Sequence, residues 1–271
     1  MTVMRARRLI AAASVAALGV LSLGACGKAT PAVAAYVGDT RYSVDRVNEI
    51  YDDAQAKYAD AIRSQAGQSG ATPSPEQLRS TVTRQDVLNL LVSIELGKRV
   101  VAEQGITVAD EVKPEQLEQQ LQMPAATEYV RLWGEWVDIS GALGAKLPTA
   151  EVSDESVMAV YDAIAKAGAI QSGLTVAQVR QAFGESGGPG SQGGFVRAAT
   201  ALSAALQQEA EKAGTSINPR FRPIGVPSVV STGQSLVFYS LPYIDQNGPV
   251  TDISTPQAPA AESSAPAAPG A

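Results

Sequence analysis

The stretch Val87-Leu88-Asn89-Leu90-Leu91-Val92-Ser93-Ile94-Glu95-Leu96-Gly97-Lys98-Arg99-Val100-Val101 decides the fold. Its apolar residues occupy most of the circumference of a helix, and a helix apolar nearly all round must be central and buried. Gly105 is placed to end it as a left-handed C′ residue, with Ile106 as the accompanying hydrophobic contact. Upstream, Ser74-Pro75-Glu76-Gln77 combines an N-cap, a proline at the first helical position and a capping-box glutamine. The helix is therefore expected to begin there and run to about Gln104, with a break near Thr83.

Further out, Ala32–Val37 reads as a strand and Gly38-Asp39 as a turn before Arg41-Tyr42. Ser43 is a good N-cap for a helix to about Ala66, with Val44, Val47, Tyr51, Ala54 and Tyr58 on one stripe. Gly67–Thr72 reads as a loop. Pro114 opens a short helix to about Gln122, and another is expected from Ala125 to Leu143. Ser153 caps a helix over Asp154–Ala167, and Thr175–Phe183 and Phe195–Ala213 are helical. Gly184–Gly194 is a glycine-rich connector. Ile217–Phe221 and Gln234–Leu241 read as extended, and the Pro/Ala/Ser-rich residues 244–271 as a disordered tail. The expected fold is mostly α, with a small β element made by strands near the two ends of the folded part.

The first 25 residues have the layout of an export signal. Arg5, Arg7 and Arg8 precede an apolar run, Leu9–Leu23, that is too short for a comfortable membrane span. The run closes on Leu23-Gly24-Ala25-Cys26, which resembles the lipobox of bacterial lipoproteins. That resemblance implies cleavage before Cys26, a covalent diacylglycerol on its thiol and usually an acyl chain on its amino group. The alternative is an ordinary secretory signal with an incidental thiol; a lone cysteine closing such a segment argues against it. Two or three acyl chains, at about 0.8 kcal/mol per buried methylene, would give stable anchoring to the outer face of the cell membrane. Residues 26–31 would be the tether and 32–243 the domain. Cys26 is the only cysteine, so no disulfide supports that domain.

Charge and composition exclude several function classes. Removing the three signal arginines takes the net charge from −6 to −9, with no basic stripe to attract nucleic acid or anionic lipid. The chain has no histidine, which removes Ser-His-Asp, Cys-His and histidine-metal chemistry. Gly184–Gly194 lacks the Gly-Lys-Ser/Thr ending of a nucleotide phosphate loop, so it reads as a connector. The pairs Asp52-Asp53 and Asp110-Glu111 have no metal-loop spacing. Neither cofactor nor catalysis is expected.

Two stretches resemble the SurA-type extracytoplasmic chaperones, a family also similar to the chaperone part of trigger factor. Ala34–Val47 matches a strand, glycine turn, strand and Ser-capped helix. Arg84–Val112 matches a long central helix with its Gly105-Ile106-Thr107-Val108 exit. A third stretch, Val152–Val157 with Tyr161, is like the helix that leads into the isomerase module of full-length members. Ile217–Phe221 resembles a closing strand that would lie beside Ala32–Val37. The resemblance implies an ATP-independent domain that holds unfolded or newly exported polypeptides in an apolar cleft. Here the parvulin isomerase module is missing, because its paired histidines are absent and Ala167–Phe195 is too short to hold it. Candidate peptide-binding residues are Tyr51, Tyr58, Met123, Tyr129, Trp133 and Trp136; packing in the core is the alternative for the aromatics, and an irregular turn would use Met123 equally well. An envelope scaffold that docks one folded partner is the competing function. A solute-binding lipoprotein would need repeated strand–helix units, and these are not present.

The lipobox reading makes a direct prediction. Wild-type chain should partition with membranes and carry acyl mass on Cys26, whereas Cys26→Ser should remain an uncleaved, unacylated precursor. Mass spectrometry of the amino-terminal peptide decides it.

Overall fold

The computed structural model describes residues 32–244, except 149, 152, 169, 184–191, 222 and 232–235. The expected signal, Cys26, its tether, the tail beyond Ile244 and most of the glycine connector lie outside the described residues. Twelve elements follow in chain order: β1 (Val33–Val37), β2 (Thr40–Ser43), α1 (Val44–Gln68), α2 (Arg84–Glu103), α3 (Pro114–Leu121), α4 (Glu128–Gly144), α5 (Asp154–Lys166), α6 (Val176–Phe183), α7 (Gln192–Lys212), β3 (Ser216–Ile217), β4 (Ile224–Ser231) and β5 (Leu236–Ile244). The fold is mostly helical, with small antiparallel sheets from strands near its two ends. No helix among the described residues is long and apolar enough to cross a membrane.

Local chemistry sets most boundaries. Ser43 accepts a hydrogen bond from Arg46 N and starts α1, as expected of an N-cap serine. Thr127 and Ser153 do the same for α4 and α5. At the end of α2, Ile106 N donates to Val101 O at 3.0 Å and Gly105 N to Ala102 O at 3.3 Å, with Gly105 at φ 62°. This is the Schellman pattern, and glycine carries its left-handed residue without strain.

One expected helix segment is a different structure. Residues 74–83 do not belong to α2. The Ser74/Gln77 box does form, with Ser74 N donating to Gln77 Oε1 at 2.8 Å, but it closes only a turn. A second box, Thr83 with Asp86, caps the true start of α2. Between them Gln55 on α1 holds Ser80 and Val82 through their backbones, and these tertiary hydrogen bonds hold the chain in a non-helical path.

Helix α2 lies at the centre. Val87, Leu88, Leu90, Val92 and Leu96 have no solvent exposure. Around α2 pack α4, β4, α7, α1 and β1. Its crossing with α4 is close, because a Cβ on Gly97 would come within 2.6 Å of Ile139 Cγ2 and 3.4 Å of Trp136 Cζ3. The sheet of β2, β1 and β3, in that order, brings both ends of the fold together. Ala35 pairs with Ile217, and Asn218 seals the join with Nδ2 donating to Val33 O at 2.7 Å.

The hairpin β4–β5 is longer than expected, because β4 contains Gly225 and Pro227 and does not read as a strand. The glycine has a structural reason. A Cβ at Gly225 would collide with Ser240 Oγ and the Leu241 backbone, and Pro227 O accepts a 2.7 Å hydrogen bond from Trp136 Nε1. Polar groups of α2 complete the docking. Asn89 Nδ2 donates to Ser240 Oγ at 3.2 Å, and Ser93 Oγ and Tyr243 Oη are 3.2 Å apart.

Two glycines in helices should respond oppositely to substitution. Gly97→Val overpacks the α2–α4 crossing and is expected to cost about 2 kcal/mol or more. Gly67→Ala meets nothing within 4 Å and should add a few tenths to about 1 kcal/mol through helix propensity. Urea unfolding curves of the two variants measure both.

Candidate functional site

The aromatic residues expected to offer a cleft are divided by the structure. Tyr129, Trp133 and Trp136 share one face of α4 at spacings of four and three residues, and all are buried, with Trp136 only 1% exposed. Met123 is also buried, immediately after Gln122, whose φ of 49° turns the chain from α3 towards α4. These four belong to the continuous core and line no open cleft among those described. The cause is the crossing at Gly97 and the docked hairpin, which together cover the inner face of α4. Tyr58 is half-buried against the same core.

Tyr51 is placed differently. It lines an open cleft of about 530 Å³ with Asp52, Gln55 and Ala56 of α1 and Leu78, Arg79 and Ser80 of the following segment. Asn48, Tyr51, Asp52 and Gln55 form one stripe along α1, following the spacing of three and four residues that aligns helical side chains. Arg84 fastens the upper part of that stripe. Its Nε donates to Asn48 Oδ1 at 2.6 Å, its Nη2 lies 3.9 Å from Asp52, and its Cζ sits 4.0 Å from the Tyr51 ring centroid. A guanidinium over an aromatic face helps to fix the ring.

Gln55 serves the lower part. Ser80 N donates to Gln55 Oε1 at 3.0 Å, while Gln55 Nε2 donates to Ser80 Oγ at 2.8 Å and Val82 O at 3.2 Å. The cleft thus combines an aromatic side chain, small apolar contacts and an amide directed at main-chain groups. That chemistry suits binding without a covalent step. Sequence reasoning missed Gln55, Leu78, Arg79, Ser80 and Arg84, because a helix read across 74–104 hides the wall they form. The Thr83–Asp86 spacing is the signal that could have revealed it.

A second cleft, of about 410 Å³, lies between α2, α4 and the 108–114 segment. Val108, Val112 and Ile139 give it apolar character, and the Lys98–Glu135 ion pair at 2.5 Å crosses one side. Asp138 holds its loop by accepting from Glu111 N and Val112 N at 3.3 and 3.2 Å. Among the described residues no cluster of three or more His, Cys, Asp or Glu could hold a metal ion.

The buried phenols generate an alkaline prediction. Burial pushes Tyr129, Tyr239 and Tyr243 well above the usual tyrosine range; Tyr42 is raised by burial and then by Glu95 and Glu135. A raised folded pKa gives stability that is complete below about pH 10 and declines above it, because the unfolded chain releases those protons first. Tyr129, Tyr239 and Tyr243 should each remove about 1.4 kcal/mol per pH unit above that point. Absorbance titration at 295 nm should show these tyrosines ionising together with unfolding rather than before it.

Set against known proteins, the chain matches no family model, no curated protein and no solved structure.

Proposed function

We propose that this chain is a lipid-anchored, extracytoplasmic, chaperone-like protein that binds unfolded or newly exported polypeptide without ATP and without catalysis. The observation that carries this reading is the open cleft along α1, where Tyr51, Ala56 and Leu78 lie beside the main-chain-directed amide of Gln55. The apolar groups offer contact to any extended chain, and the bonds of Gln55 to Ser80 and Val82 are of a kind that holds main chain with little demand on sequence. Each Å² of apolar client surface covered contributes about 25 cal/mol before ordering costs, so a cleft of this size supports weak, exchangeable binding.

Two further features support the reading. The residues that resemble SurA-type chaperones fall on a hairpin, a Ser-capped helix and a central helix with a glycine exit. The lipobox ending at Cys26 would hold the domain where exported chains emerge. The lack of any histidine removes the paired-histidine chemistry of the parvulin module, so prolyl isomerisation is not part of the proposal.

One observation favours a second reading, a scaffold that docks a single folded partner. Burial of Met123, Tyr129, Trp133 and Trp136 leaves Leu174 and Val176 as the exposed large apolar residues among those described, a small surface for a general holdase. Light scattering separates the two. The mature chain at several-fold excess should suppress aggregation of several unrelated denatured proteins, equally with and without ATP. A chain that leaves every one of them to aggregate, yet retains one envelope protein on affinity capture, would be the scaffold.

A further inference from the structure

The wall of the α1 cleft is the chain's own backbone. Between Ser69, where α1 ends, and Thr83, where α2 begins, residues 72–82 form a short turn over 75–78 and an irregular stretch with a bend at Thr81. Gln55 accepts from Ser80 N at 3.0 Å and donates to the carbonyls of Ser80 and Val82 at 3.4 and 3.2 Å. A primary amide used in this way does what a neighbouring strand does, satisfying main-chain donor and acceptor together. Apart from a 2.8 Å bond to Ser80 Oγ, it reads nothing specific to the sequence it holds.

The segment is also bounded by ends that close without it. Ser69 Oγ and N both bond to Ala66 O, and Thr83 and Asp86 cap each other's backbone. Thr72, Pro75, Glu76, Gln77, Arg79 and Thr81 are exposed. Few buried contacts and exposed neighbours define a low-stability unit that can open while both helices stay intact.

We propose that residues 72–82 are an internal occupant of a peptide groove on α1, and that an extended segment of unfolded polypeptide binds by displacing them. The client takes over the main-chain hydrogen bonds to Gln55 and places apolar side chains against Tyr51 and Ala56. This inference rests on the polypeptide-binding function proposed above and assigns that function a site and a built-in competitor.

The test uses the mature chain and a variant with residues 72–82 replaced by a Gly/Ser linker of equal length. The probe is a fluorescein-labelled, reduced and carboxymethylated protein that stays unfolded, followed by anisotropy. Removing a competitor raises the binding-competent fraction, so the linker variant should bind about threefold tighter or more. In the unaltered chain, saturating probe should speed hydrogen exchange at the amides of 80–82 while leaving α2 protected. Equal or weaker binding by the linker variant, with binding intact in the unaltered chain, would sink the displacement idea and leave the polypeptide-binding function standing. Absence of binding by both proteins would sink the two together. A linker variant that circular dichroism shows to be unfolded leaves exchange in the unaltered chain to decide, and no acceleration at 80–82 overturns the proposal.

Discussion

A helix apolar on every side cannot rest against a single partner. The burial of α2 is the constraint on which the rest of the molecule depends. Val87, Leu88, Leu90, Val92 and Leu96 have no contact with water, so neighbours are needed on all sides, and α1, α4, α7, β1 and β4 supply them. The two buried polar residues on this helix sharpen the requirement. Asn89 and Ser93 are buried, and an unsatisfied buried polar group costs about 1–3 kcal/mol. Ser240 and Tyr243 answer them from the other end of the sequence. The hairpin is therefore tied to α2 at two points.

Fold class was largely legible in the sequence, because helix ends carry local chemistry. Ser43, Gly105, Pro114 and Ser153 each mark a boundary close to where it occurs, since a cap depends on three or four consecutive residues. Two places were not legible, for the same reason. The Ser74/Gln77 box is locally as good a helix start as Thr83/Asp86, and Gln55, about 25 residues away, selects between them. Strand β4 contains a glycine and a proline that argue against a strand by composition. The glycine is required by a tertiary approach, the Ser240 hydroxyl and the Leu241 backbone on the paired strand, and the strand is held at Pro227 by the Trp136 indole on its carbonyl.

The candidate site was legible only at Tyr51. Helical spacing places Tyr129, Trp133 and Trp136 on one face, but periodicity cannot say whether that face meets a cleft or another helix. Gly97 settles it for Trp136, since the absence of a side chain there lets α4 approach closely at that residue and at Ile139. In the sequence Gly97 is one small residue in a long helix. Asn89 and Ser93, four residues apart within the apolar run Val87–Ile94, were the clearest sign of a long-range polar partner.

The pairing of β3 with β1 and the docking of β4–β5 on α2 have a consequence for synthesis. A ribosome completes the helix that needs the most cover early, and the strands that cover its polar side emerge last. Until then α2 presents its apolar face, with Asn89 and Ser93 unanswered, to whatever surrounds the growing polypeptide. The high sequence separation of these contacts makes their closure the late event in maturation. Truncation within residues 224–243 would remove the cover for a helix more than a hundred residues upstream, so the last strands decide whether the first helices can stay packed.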